Sequence, residues 1–270
     1  MEGQLREIAR ECVQKAGAVL LDYHKRLQSL DVRAKGRFDY VTEADLAAQE
    51  AIVRLIRRSH PDHDILAEES GAVPNQKASR WLVDPLDGTT NFIHGYPVFA
   101  VSVAFEHEGS IILGAVYDPC REELFFAEKG SGATLNDRPI VVSGRQRPAE
   151  ALIATGFPFR DKAVLSRYLQ GFARIFMKVS GMRRAGAAAL DLAYVACGRC
   201  DGFWELGLSP WDIAAGELMV REAGGTISDF SGGKDHIWVG DVVAGNPALH
   251  CFLLGIVQSV FGGNVSKTGG

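Results

Sequence analysis

The chain has 270 residues, 47% of them hydrophobic and 23% charged, with a formal net charge of −4. That much apolar material allows one large domain or two intimate halves with a core that needs no staples, and it excludes a largely disordered chain. A protein that grips nucleic acid by its backbone usually carries a basic face, and nothing in this net acidic chain calls for one, so no direct nucleic-acid site is expected, whereas an anionic substrate would need bound cations to reverse the local potential.

Taken in order, residues 4–27 carry Leu5, Ile8, Cys12, Ala16, Val19 and Leu20 at helical spacing. A second helix is predicted to start near Thr42, where Thr42-Glu43-Ala44-Asp45 fits a capping box, and to close at Pro61. Strands follow at Trp81–Val83, Val98–Phe105, Ile111–Tyr117 and Leu124–Ala127, so the first half reads as two helices and a largely antiparallel sheet. The second half alternates. Strands are predicted at 152–155, 202–205 and 241–244, and helices at 162–178, 187–197, after Pro210 as far as Gly224-Gly225, and at 247–260. The polar stretch Ser143–Pro148 suggests a boundary near residue 145, giving an α+β half over 1–145 and an α/β half over 146–270 with a cleft between them. Residues 262–270 read as a mobile tail.

The densest chemistry lies in Trp81-Leu82-Val83-Asp84-Pro85-Leu86-Asp87-Gly88-Thr89-Thr90-Asn91-Phe92. A strand ends in two aspartates three apart, with Pro85 holding Asp84 extended and the Leu86 carbonyl between the acids. Two carboxylates and a carbonyl suit Mg²⁺, which takes oxygen ligands. Gly88-Thr89-Thr90 resembles a helix start whose free N–H groups receive phosphate. A capped turn is the competing reading of this motif on its own. Further acids stand at Glu68-Glu69, at Asp212 in the first turn of a helix, and at Asp39 and Asp45 flanking another helix start. Each taken singly reads as a solvated or capping residue.

Together these segments resemble the inositol monophosphatase family over nearly the whole chain and in the expected order. The likeness is carried by Val41-Thr-x-x-Asp45, Glu68-Glu69-Ser70, Asp84-Pro-Leu-Asp87-Gly-Thr-Thr-Asn91 and Trp211-Asp212-x-Ala-Ala-Gly216. It extends to the bacterial SuhB-like branch through Ala154–Phe159, Arg183–Tyr194 and Glu222–Asp229. The resemblance implies an αβαβα sandwich of the sugar-phosphatase type and two to three Mg²⁺ per site. Glu68, Asp84 and the Leu86 carbonyl would hold one ion, Asp84, Asp87 and Asp212 a second, and Glu68 a third through water. Thr89, oriented by Asp45, would help deprotonate the attacking water, while the amides of Gly88 and Thr89 hold phosphate. Glu205 and the backbone of Gly186, Ala187 and Ala188 would face the substrate hydroxyls, with Asp87 and Asp212 alongside. A family lysine in the loop before Val41 is matched to Lys35, and Ala67 stands where the family often has glycine.

The activity so implied is hydrolysis of inositol monophosphate by in-line attack of an activated water, without a phosphoenzyme, and with sensitivity to Li⁺. The rivals are another small phosphate ester (fructose bisphosphate, histidinol phosphate or a nucleotide 3′-phosphate) and, from the SuhB-like branch, an antitermination role on the RNA polymerase machinery. A homodimer is the family's common state. Five cysteines, odd in number and irregularly spaced, point to a reducing cytoplasm. Cys197-Gly-Arg-Cys200 closes an apolar helix instead of opening one, which argues against redox use. The N-terminus is no secretory signal, and no stretch approaches the roughly 20 apolar residues that span a bilayer.

Overall fold

A computed structural model describes residues 2–36, 39–70, 78–159 and 161–262. The chain runs α1 (Glu2–His24), β1 (Val32–Gly36), β2 (Asp39–Thr42), α2 (Glu43–Ser59), β3 (Asp64–Ala67), β4 (Ser79–Asp87), α3 (Thr89–Ile93), β5 (Ala100–His107), β6 (Ser110–Asp118), β7 (Glu123–Glu128), β8 (Gly132–Leu135) and β9 (Arg138–Ile140). It continues through β10 (Leu152–Thr155), α4 (Leu165–Phe176), β11 (Gly181–Arg183), α5 (Ala188–Ala196), β12 (Gly202–Glu205), α6 (Pro210–Glu222), β13 (Thr226–Ser228), α7 (His236–Val239), β14 (Val242–Gly245) and α8 (Pro247–Phe261).

Two large sheets and three helical layers result, with β1 and β2 forming a separate two-stranded hairpin. A seven-stranded sheet in the order β3-β4-β5-β6-β7-β8-β9 is antiparallel except for β3 beside β4. A five-stranded sheet in the order β11-β10-β12-β14-β13 mixes both senses. The outer face of the large sheet is covered by α1 and α2 through Leu5, Ile8, Cys12, Ile52 and Ile56. The outer face of the small sheet is covered by α4 and α8 through Tyr168, Ile175, Leu253 and Val257. Between the sheets lie α5 and α6, in one core that joins Leu82, Ala104 and Val116 of the large sheet to Phe203, Ile227 and Ala244 of the small one. This is the αβαβα sandwich.

The sequence makes this layering possible in simple ways. A helix between two sheets is apolar all round, and eight residues of α5, from Ala188 to Ala196, are buried, four of the eight being alanine. Small side chains bring the layers close. A Cβ on Gly114 of β6 would meet the Ala215 main chain of α6 at 2.8 Å. Helix starts are fixed by caps. Thr42 caps α2 with Asp45 reaching back, Pro210 opens α6, and Asn246 accepts from the amides of Ala248 and Leu249 ahead of α8.

Several elements differ from expectation. The strand at Trp81 runs on to Asp87, because the chain stays paired with β5 across a bulge. The helix expected over 162–178 begins as a 3₁₀ turn at Lys162–Val164 and is α-helical only over α4. The hairpin β1–β2, the ribbon β8–β9 and the three-residue strands β11 and β13 were not expected at all. Lys35, expected in a loop, falls within β1, and its side chain lies outside the described part. Residues 263–270 of the expected tail lie outside the described residues. No helix among the described residues is long and apolar enough to cross a membrane.

Candidate active site

Asp84 and Asp87 are three residues apart, a spacing that sends side chains to opposite faces of a regular strand. The β4–β5 ladder shifts register between them: Asp84 stands opposite Ser102 and Asp87 opposite Ala100. One extra residue on β4 is a bulge, and it carries Pro85, which fits because a bulge has an unpaired position for a residue lacking an N–H. The bulge brings both acids to one side. Their carboxylates are then held by main-chain amides. Asp84 Oδ1 accepts from Leu86 N at 2.9 Å, and Asp87 Oδ2 from Ala189 N of α5 at 2.8 Å.

The third acid arrives on α6. Ser102, the cross-strand partner of Asp84, donates its hydroxyl to the Trp211 carbonyl at 3.1 Å. That bond sets the start of α6 against β5. Asp212 Oδ2 accepts from Ser209 N at 2.8 Å, which fixes its side chain in the first turn. Glu68 follows β3, and its own amide bonds the Val83 carbonyl at 3.1 Å, next to Asp84 in sequence. Gln49 of α2 steadies this turn by accepting from Glu69 N and donating to Ser70 Oγ.

These acids feel one another. Asp84 is held well above the usual carboxylate range, first by burial and then by the charges of Glu68, Asp87 and Asp212. Asp87 is raised by burial and by Asp212 and Glu205, against a lowering by the Ala189 and Ala188 amides. Neither Asp84 nor Asp87 has an ion-pair partner among the described residues. Among the described residues no three His, Cys, Asp or Glu side chains are gathered closely enough to hold an ion as they stand. The donor set nonetheless suits Mg²⁺: hard oxygens only, rich in carboxylates, with Asp84 and Asp87 raised by the charges of their acidic neighbours.

Beside the acids lies a second arrangement. Asp45 is fully buried. Its Oδ2 accepts from Thr42 N and Thr42 Oγ1 at 2.8 and 2.6 Å, and its Oδ1 lies 3.2 Å from Thr89 Oγ1. The Thr89 hydroxyl is also 3.1 Å from the Leu86 carbonyl. One hydroxyl proton therefore has two acceptors, and both oxygens of Asp45 are engaged. Gly88, with φ of 94°, caps α3; a Cβ there would meet the Val98 and Gly186 carbonyls at 3.0 and 3.3 Å. Only glycine fits that turn.

Asn91 closes the arrangement. Its side-chain NH₂ donates to Val98 O at 2.7 Å and to Ala185 O at 2.9 Å, which ties the segment before α5 to α3. Gly186 lies at this junction, and Ala187 and Ala188 are buried behind it. The amide of Ala188 is turned to Asp87. Glu205 ends β12, half-buried, near enough to Asp87 and Asp191 for its charge to raise both. The structure thus brings Glu68, Asp87 and Asp212 within electrostatic reach of Asp84, and Asp212 and Glu205 within reach of Asp87, with Leu86 between the two aspartates and Asp45, Gly88 and Thr89 adjoining at the β4–α3 turn.

Sequence reasoning missed two features. Asp191, buried within α5, is raised by burial, Glu205 and Asp87 and lowered by Arg184. It was taken as part of an apolar helix, although an acid in such a run was itself the signal. The Arg184 guanidinium lies 4.9 Å over the Phe159 ring and 5.3 Å from that of Phe157. The cysteines are all free, and burial pushes the Cys200 thiol to about 12 and raises Cys197, so the Cys-x-x-Cys is not poised to react.

Comparison with known proteins identifies the family. A model of the inositol monophosphatase family matches residues 1–260. The chain is 47% identical over 256 residues to the Nus factor SuhB of Pseudomonas aeruginosa, covering 93% of this chain and 94% of that protein. It is 47% identical over 249 residues to an inositol-1-monophosphatase of Mesorhizobium japonicum, covering 92% and 94%. Among solved structures, an extragenic suppressor protein suhB from Bartonella henselae superimposes with a TM-score of 0.91 at 44% identity, over 94% of this chain and 98% of that one.

Proposed function

Because the chain belongs to the inositol monophosphatase family, we propose that it hydrolyses inositol monophosphate to inositol and phosphate with Mg²⁺. The observation that carries this reading is the group of buried acids Asp84, Asp87 and Asp212, whose charges raise Asp84 and Asp87, beside the Thr89–Asp45 hydroxyl–carboxylate pair. Glu68, Asp84 and the Leu86 carbonyl would hold one ion and Asp84, Asp87 and Asp212 another, with a third near Glu68. Metal held by these residues would supply a lowered water pKa and charge stabilisation for phosphoryl transfer.

The chain's own groups do the rest. Asp45 accepts the Thr89 proton, so that the Thr89 oxygen faces the attacking water as an acceptor. The amides of Gly88 and Thr89 take phosphate oxygens, which glycine at 88 lets approach closely. Glu205 accepts hydroxyls of the polyol, with the Gly186–Ala188 backbone beside it, and its charge disfavours a second phosphate. The two halves, 1–145 and 146–270, would meet at this cleft. A cytoplasmic location accords with five free cysteines, and a homodimer with the family's habit.

A panel of phosphate esters with released phosphate as readout, with and without Mg²⁺, tests the reading. Inositol 1-phosphate should exceed fructose bisphosphate, histidinol phosphate and nucleotide 3′-phosphates, and chelation should abolish turnover. Li⁺ should inhibit uncompetitively. Turnover that survives chelation would refute the metal assignment, and a tenfold preference for another ester the substrate. A second reading draws on the relative named Nus factor: binding to the transcription antitermination machinery, alongside catalysis. Retention of RNA polymerase and its elongation factors by Asp84→Asn protein would support it.

A further inference from the structure

Gly156 follows the last residue of β10 paired to β12. The parallel ladder matches Ile153 with Gly202, Ala154 with Phe203 and Thr155 with Trp204, and one step further stand Gly156 and Glu205. Neighbours in register on adjacent strands carry their side chains on the same face. A Cβ built on Gly156 would land inside the Glu205 carboxyl group, overlapping its carbon and both oxygens. The φ of Gly156 lies outside the left-handed region. Backbone conformation therefore does not call for glycine at this position. Space does, and the space is taken by the tip of an acid assigned to the substrate.

This sets Gly156 apart from Gly114 and Gly88, which face main-chain atoms. A side chain at those two positions would strain the fold. A side chain at Gly156 would meet the far end of a flexible residue, which can swing aside.

We propose that Gly156 is a specificity-determining position for the polyol: its bare main chain seats the Glu205 carboxylate against the end of β10, at the depth where it receives substrate hydroxyls. The inference rests on the reading of Glu205 as a hydroxyl acceptor. Gly156 acts through Glu205 and is a positioning residue.

The test is a double-mutant cycle on the full chain with Mg²⁺, using Gly156→Ala, Glu205→Ala and the pair together. The readout is the ratio of kcat/KM on inositol 1-phosphate to kcat/KM on p-nitrophenyl phosphate, with Tm measured for each protein. A lost charge-assisted hydrogen bond predicts a fall in the ratio of roughly 10- to 100-fold for each single variant. In the Glu205→Ala background the carboxyl that the alanine at 156 would overlap is gone, so the second substitution should cause no further fall. Gly156→Ala should also keep a Tm near that of the wild type. If Gly156→Ala leaves the ratio within twofold while Glu205→Ala lowers it, Gly156 does not seat the acid and the proposal falls. It falls equally if Gly156→Ala lowers both activities and Tm together, in either background, because that is backbone damage. If Glu205→Ala itself leaves the ratio unchanged, the hydroxyl-acceptor reading has failed and takes the role of Gly156 with it.

Discussion

Two helix starts in this protein are built alike and put to different use. On α2 the cap is Thr42 and the third residue is Asp45; on α6 the cap is Ser209 and the third residue is Asp212. In both, the aspartate reaches back to the amide of the capping residue, at 2.8 Å in each case. Beyond that bond they part. Asp45 has donors on both oxygens, from Thr42 and from Thr89. Asp212 faces acids, and its charge raises Asp84 and Asp87. The same local motif thus yields one aspartate wired to a hydroxyl and another wired to like charge. Capping decides where such a carboxylate points, and the neighbouring strand decides what it does.

The largest effects should come from the like-charge side. Asp84→Asn or Asp212→Asn should lower turnover roughly a thousandfold, since several kcal/mol of charge stabilisation go with the ion. The same variants should keep or raise the Tm of the metal-free protein, because repulsion is relieved. Near-normal activity at saturating Mg²⁺ would end the distinction between the two caps.

The hydrogen-bonded side should respond in the opposite way in stability. Asp45→Ala strands the Thr42 amide and hydroxyl, so it should cost about 1–3 kcal/mol of unfolding free energy. Turnover should fall about a hundredfold as Thr89 loses its acceptor. Thr89→Val should reproduce the loss of turnover with a smaller change in Tm. Chemical denaturation of both variants separates these outcomes, and a Thr89→Val protein of normal activity would remove Thr89 from the mechanism.

Smaller and slower to measure is the pH dependence of the metal-free protein. Asp84 and Asp87 have folded pKa values above the ordinary 3.8. A carboxyl raised in the folded state contributes stability that is full below its unfolded value and is lost as pH rises through its folded value. In chelator, Tm should therefore fall as pH climbs from about 4 toward neutrality. The slope should flatten in Asp84→Asn and vanish in saturating Mg²⁺. An unchanged slope in Asp84→Asn would show that the acids are not mutually strained.

The smallest effect is expected far from both caps. Cys197→Ser with Cys200→Ser should leave turnover within about twofold, since both thiols are raised and unreactive. Loss of activity on oxidation of the wild type alone would reverse that reading.

What was legible beforehand follows from where the information lies. Asp84, Asp87 and Asp212 were legible because Pro85, Gly88 and Pro210 punctuate the chain around them. The bulge that turns Asp84 and Asp87 to one side was not, since it depends on pairing with β5. The outer helices showed in their periodicity. The hairpin β1–β2 did not, because Val32–Ala34 are exposed and carry no alternation. Strands of three residues, such as β11 and β13, are too short to have a period. Asp191 was hidden by its company: a helix buried on every side offers no face by which to notice a charge. The contact of Thr89 with Asp45 spans 44 residues, and only the family resemblance suggested it.

The middle layer bears on how the chain is made. Helices α5 and α6 cover the inner face of the large sheet, yet they begin at residues 188 and 210, long after β9 ends at residue 140. During synthesis the large sheet is complete while Leu82, Ala104 and Val116 still lack their cover. A ribosome adds some 5–20 residues per second, so this apolar face stays open for several seconds on the nascent chain. A truncation before residue 188 makes that exposure permanent, and such a product should aggregate or be degraded instead of persisting as a half-molecule.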